Sequence, residues 1–189
     1  ALIFATMGRK PLAEGVKILV SHIDSPRLDL KPNPLYEDKE IALFKTHYYG
    51  GIKKYQWTAI PLALHGVIAL KNGETIIVKI GDNEEEPVFC VTDLLPHLSK
   101  DQNSRPLKDG IKGEELNVLV GSLPFKDDKV SQKVKLNILN LLHEKYGIVE
   151  EDFLSADLTM VPSFRARDIG FDRSMIGAYG HDDKVCAYT

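Results

Sequence analysis

At 189 residues, 43% hydrophobic and 27% charged, the chain has enough apolar material for a real core and the ordinary composition of one or two soluble globular domains. A net charge of -3 argues against nucleic acid and against an anionic membrane surface as partners, and no apolar run approaches the roughly 18 residues of a membrane span. Cys90 and Cys186 lie far apart, in no CxxC or metal-finger spacing, and the opening ALIFATMGRK is too short and wrongly charged for a signal peptide, so neither a disulfide framework nor a structural zinc ribbon is expected and the cytoplasm is the expected compartment.

In chain order, ALIFATMG reads as an apolar segment resembling a strand whose lead-in is missing. Residues 16–21 are the first strong predicted strand, running out into His22, Ile23, Asp24 and then Ser25-Pro26. Residues 41–48 form another. After Gly50-Gly51, IKKYQWTAIPLALHGVIAL suggests paired strands, and ETIIVKIG continues the series across the Asn72-Gly73 hairpin signal, which makes the middle region an antiparallel sheet. The Gly pair supplies positive φ for a tight turn, since no helix follows it to cradle a phosphate, and Lys53 and Lys54 are a solvated face.

PVFCVT is a further run of strand length, and DLLPHLS begins a short helical turn. Residues 99–113, punctuated by Asn103, Pro106, Gly110 and Gly113, read as a surface loop. DDKVSQKVKLNILNLLHEKYG is the clearest helix, with Val130, Val134, Ile138, Leu141 and Leu142 on one face, Asp127 or Asp128 as cap and Gly147 as stop. EEDFLSADLTMVP gives a helical turn and a strand, and GFDRSMIGAYGHDDKVCAYT a Gly-punctuated loop feeding a last helix that stops without a C-cap. Both ends therefore read as those of a piece of something longer. Neither an internal repeat nor a low-complexity segment is present.

An imidazole at the carboxyl end of a strand stands where open α/β sheets place their ligands. An aspartate two residues on can accept the ring's other N–H, which fixes the tautomer and raises the basicity of a metal ligand. Taken alone, His22-x-Asp24 is a weak signal and an ordinary surface or core histidine is the default. Asp183 has a similar standing. Bridging two cations requires a carboxylate, but capping the last helix explains Asp182 or Asp183 as well. His47, His65 and His143 carry only ordinary readings, His143 as a cation near a helix end.

Four separated stretches change the balance. SHIDSPRLDLKPNPLYE, THYYGGIKKYQW, LPHLS and GFDRSMIGAYGHDDKVCAYT, in that order, closely resemble the aspartyl aminopeptidase and aminopeptidase I family of two-metal exopeptidases, and the resemblance covers almost the whole chain. It implies an α/β fold in which a mixed-sheet zinc-peptidase catalytic domain, here incomplete, is interrupted by a β-rich dimerisation domain. Carried over, residues 1–30 and 164–189 are parts of the catalytic domain and residues 31–163 are the insert. The resemblance makes His22 a terminal ligand of one metal, Asp24 its catalytic orienter, and Asp183 the carboxylate that bridges two zinc ions, with cobalt or manganese as alternatives. It places His97 at the site as well, either as a ligand or reaching a neighbouring protomer. His181 receives no role.

The implied activity is two-metal hydrolysis of the N-terminal residue from peptides, by a homo-oligomer assembled through the insert, with no nucleic acid or membrane partner. Two departures matter. Family members often carry an acidic and basic pair just after the Trp, where this chain has Thr58, Ala59, Ile60 and Pro61. The family's Glu-Glu pair, Asp and final His follow the bridging aspartate, whereas this chain stops at Thr189, and Glu84 to Glu86, Glu114-Glu115 and Glu150-Glu151 all precede Asp183 and are no substitutes. The 189-residue segment alone is therefore expected to be inactive. The alternatives are a noncatalytic self-assembly module with a vestigial metal half, and a related two-metal deacylase.

Overall fold

The computed structural model describes residues 3–127 and 129–189. Its first hairpin joins β1 (Arg27–Asp38) to β2 (Ile41–Tyr49). The connection is two residues, Lys39 and Glu40, both at positive φ (49° and 61°), the geometry that matches the right-handed twist of paired strands. A second hairpin joins β3 (Leu62–Ala69) to β4 (Thr75–Ile80) around Gly73, whose φ is 88°. Further along come the short β5 (Cys90–Val91), β6 (Val118–Gly121) and β7 (Ala156–Pro162).

These strands form one seven-stranded sheet in the order β4-β3-β7-β1-β2-β6-β5, with every neighbouring pair antiparallel. β8 (Arg167–Ile169) and β9 (Met175–Gly177) make a separate antiparallel ribbon. The helices are α1 (Lys100–Ser104), α2 (Lys133–Tyr146) and α3 (His181–Tyr188). Among the described residues no helix is long and apolar enough to cross a membrane.

The core lies on one face of the large sheet, where Leu28, Leu62, Ile68, Val118 and Met160 are fully buried. α2 supplies Val134 to it, with Ile138 and Leu142 packed at its margin, and Phe153 meets Phe44 edge to face at 5.9 Å. Gly147 ends α2 as expected, at φ 70° with its N–H on the His143 carbonyl at 2.7 Å.

Several expectations change. Residues 16–21 are not a strand among the described residues: they pair with no described segment, and Leu19 is 99% exposed, because a strand exists only through a partner's ladder. For the same reason the mixed sheet expected of the catalytic portion is not found among the described residues. β1 was not legible, since Pro32 and Pro34 argue against a strand. The register shifts between Leu30 and Leu35, and this irregularity, with Asn33 at φ 52°, takes up both prolines.

Of the paired strands expected after Gly51, only β3 forms, and Lys54–Trp57 is a 3-10 turn. PVFCVT contracts to β5, with Phe89 bridging Leu62. The expected loop at 99–113 contains α1 and two 3-10 turns. α2 starts at Lys133 after Gln132 at φ 54°, so Asp127 does not cap it; Asp127 instead accepts the Lys129 N–H at 2.8 Å. The alternative cap, Asp128, and the first two residues of ALIFATMG lie outside the described residues. The helical turn and strand of EEDFLSADLTMVP are present as Glu150–Ser155 and β7.

Candidate functional site

The chain passes residues 22–26 just before β1 begins, and α3 starts at His181 after Gly180, which holds φ 82°. These two segments lie against each other. The Asp183 N–H donates to the Asp24 carbonyl at 2.9 Å, the Ser25 hydroxyl to the Asp182 carbonyl at 3.3 Å, and the Tyr179 hydroxyl to the Pro26 carbonyl at 2.6 Å. The Asp182–Asp183 peptide is cis. Across this seam His22 Nδ1 hydrogen-bonds to Asp183 Oδ2, which joins residues 161 apart in sequence. His22 is 78% exposed at its side chain and Asp183 24%.

The pair polarises both groups. The hydrogen bond to Asp183, with that carboxylate's charge, raises the His22 pKa above 6.5, and the hydrogen bond from His22 lowers that of Asp183. No side chain caps α3, so the ordinary reading of the Asp pair as an N-cap does not hold.

Asp24 faces the other way. Its Oδ1 accepts the Ser25 N–H at 2.9 Å, and Arg27 Nη1 stands 3.8 Å away. The nearby Tyr49 hydroxyl, assisted by Ser25 and Arg27, holds Asp24 below the usual carboxylate range. No hydrogen bond between Asp24 and the His22 ring is present among the described residues.

His97 is exposed in the turn at 96–98, and no described hydrogen bond or ion pair joins it to His22 or Asp183. The acidic pairs are engaged elsewhere: Glu86 accepts backbone N–H groups of Gly81, Asp82 and Asn83, Glu114 pairs with Lys31, Glu115 with Arg105, Glu150 with Lys135 and Glu151 with Lys71. His65 is bonded to Asp82 at 2.9 Å, and His143 to the Ile148 carbonyl at 3.2 Å. Cys90 and Cys186 are free thiols.

An imidazole beside a carboxylate is donor chemistry that suits zinc. Two donors fall short of the three or more protein ligands of a zinc site, and the described residues hold no group of three or more His, Cys, Asp or Glu arranged for a metal ion. Sequence reasoning missed Tyr49, Arg27 and Tyr179, whose proximity arises from the β1–β2 register and from the fold of the last segment.

A family model described as aminopeptidase I zinc metalloprotease (M18) matches residues 1–189. The chain is 56% identical over 188 residues to a probable M18 family aminopeptidase 1 of Clostridium acetobutylicum, which covers 100% of this chain and 40% of that protein. It is similar to the crystal structure of an M18-family aminopeptidase from Thermotoga maritima, with a TM-score of 0.88 at 53% identity over 94% of this chain and 39% of that one. The aminopeptidase I crystal structure from Clostridium acetobutylicum gives 0.89 at 54% identity, over 96% of this chain and 40% of that one. The chain therefore spans about 40% of the length of the relatives it matches.

Proposed function

Because the chain belongs to the aminopeptidase I zinc metalloprotease (M18) family, we propose that it forms part of a zinc-dependent aminopeptidase that removes N-terminal residues from peptides. The observation that carries the reading is the meeting of His22 with Asp183 from opposite ends of the chain. In that reading the His22 and Asp183 side chains would hold the zinc ions, and Asp24, whose backbone carbonyl accepts the Asp183 N–H, would position the segment that carries His22. Bound zinc supplies polarisation of the scissile carbonyl and activation of water; cobalt or manganese suits the same donors. This chain's own part is to present one imidazole and one carboxylate on backbone tied together at Asp24 and Asp183. The remaining ligands and the general base come from the rest of the protein.

Residues 31–163 serve in this reading as an inserted self-association domain, and residues 1–30 and 164–189 belong to the catalytic half. The large sheet's buried core falls within 31–163 apart from Leu28, and the exposure of Ile18, Leu19 and Val20 suits a segment completed by other strands. A dodecamer is known for a fungal structure sharing the fold. His97 belongs to the site through the neighbouring protomer or as a ligand, and the free thiols suit the cytoplasm.

The test uses the full-length protein. Chelation should abolish hydrolysis of aminoacyl substrates, zinc should restore it, and His22→Ala should lower the bound metal. Unchanged metal stoichiometry in the variant removes His22 from the site. A zinc-loaded protein that hydrolyses no aminoacyl substrate overturns the aminopeptidase reading and favours a self-assembly module.

A further inference from the structure

Between the large sheet and the His22–Asp183 contact lies a compact cluster with no assigned role. Arg27, the first residue of β1, stands opposite Tyr49, the last of β2. Its guanidinium carbon is 3.8 Å from the centre of the Tyr49 ring. Its Nε donates to Asp29 Oδ1 at 2.7 Å, and its Nη1 is turned to Asp24 Oδ1 at 3.8 Å. One face on an aromatic ring, one edge on Asp29 and the other toward Asp24 leave a planar fork a single orientation, which a flexible ammonium cannot reproduce. The Arg27 side chain is 32% exposed, so this is not a freely solvated ion pair. The Tyr49 hydroxyl also favours the charged form of the same Asp24 carboxylate. Beyond it the backbone of residues 24–26 accepts from Asp183 and Tyr179.

We infer that Arg27 is a positioning residue for the candidate metal centre: with Tyr49 it fixes the Asp24 carboxylate and the backbone on which Asp183 rests, and thereby the setting of His22 against Asp183. The inference rests on the metal reading given above. It acts through Asp24, which separates it from a role in general stability. Removal of a group that orients a metal ligand typically costs about 10–100-fold in metal affinity or activity.

The experiment is a double-mutant cycle in the full-length protein with Arg27→Met, Asp24→Asn and both together, with Arg27→Lys and Tyr49→Phe alongside. Zinc affinity is read by competition with a chromophoric chelator, and kcat and KM are read separately. Arg27→Met should weaken zinc binding about 10–100-fold and lower kcat with KM unchanged. Arg27→Lys should recover only part of the loss, and Tyr49→Phe should give a smaller loss in the same direction. In the Asp24→Asn background, Arg27→Met should add no more than about twofold, because the group it acts through is already gone.

Losses that multiply in the double variant, or a single variant within about twofold of wild type, overturn the inference. If Arg27→Met does not fold, Tyr49→Phe carries the same cycle. The wild-type arm separates the two readings. Zinc binding without turnover overturns the proposed function alone, multiplied losses in an active enzyme overturn this inference alone, and absence of zinc binding overturns both.

Discussion

Gly66 is where a single methyl group is expected to cost most. It sits in the interior of β3 at φ 144°, paired with Val78 on one side and Leu158 on the other. An added Cβ would overlap the Asp157 carbonyl oxygen and lie 2.9 Å from both the Asp157 carbonyl carbon and the Leu158 Cα. Those atoms are backbone of β7, which is hydrogen-bonded to β3 and to β1 and cannot move aside without opening a ladder. The dihedral penalty of a non-glycine residue there is about 1–2 kcal/mol, and forcing a packed region apart adds about 1–3 kcal/mol. Gly66→Ala should therefore destabilise by about 2–5 kcal/mol, a large share of the stability of a typical domain. Gly73→Ala is the control, because its φ of 88° carries the dihedral penalty while nothing stands within 4 Å of the added carbon. Equilibrium unfolding in urea, with the slope m compared between variants, gives both values. If Gly66→Ala is no more destabilising than Gly73→Ala, the close approach of β3 to β7 is not what demands glycine.

Three other outcomes follow from the site and the assembly. Residues 1–189 expressed alone with excess zinc should hydrolyse no aminoacyl substrate, since the described residues bring together only the two candidate donors His22 and Asp183 and general-base assistance alone is worth about 10²–10⁴ in rate; turnover within about tenfold of the full-length enzyme would place the machinery inside this segment. Light scattering of the full-length protein should report an oligomer, and a monomer would count against the self-association role of residues 31–163. In metal-free protein the His22–Asp183 pair should contribute to stability only inside a pH window. Its contribution is lost as pH rises through the raised His22 pKa and as pH falls through the lowered Asp183 pKa; an NMR titration of the His22 ring with a midpoint at or below 6.5 would contradict the contact.

How much could be read before any fold was known depended on whether the signal was local. The β3–β4 hairpin was legible because Asn72-Gly73 encodes its turn and β-branched residues flank it, and the end of α2 because Gly147 alone takes φ 70° there without strain. β1 was hidden because Pro32 and Pro34 look like strand breakers until a register shift removes their need to donate. Residues 16–21 gave the opposite error: their apolar, β-branched run was read as strand, but pairing belongs to a partner and not to a propensity. His22 and Asp183 were singled out by the resemblance, and the fold brings them into contact. Nothing local marks Arg27 or Tyr49. They meet because the hairpin register sets position 27 opposite position 49, a fact about two strands together.

The strand order also dictates when the fold can be completed. β7 lies between β3 and β1, so until residues 156–162 arrive the β1–β2 and β3–β4 hairpins are joined only through the short β5 and β6 and the Leu62–Phe89 bridge. On a ribosome, where about 5–20 residues are added each second, both ribbons must wait for most of the chain with open edges and half-covered apolar faces. Closure then requires contacts of long sequence separation, such as Leu28 with Met160, whose loop entropy is met late. A chain stopped before β7 would hold two incomplete ribbons with exposed edges, which favours pairing with other chains over folding. The interval before residue 156 emerges is thus a period in which these two ribbons are open to aggregation, and in which a chaperone would have apolar faces to cover.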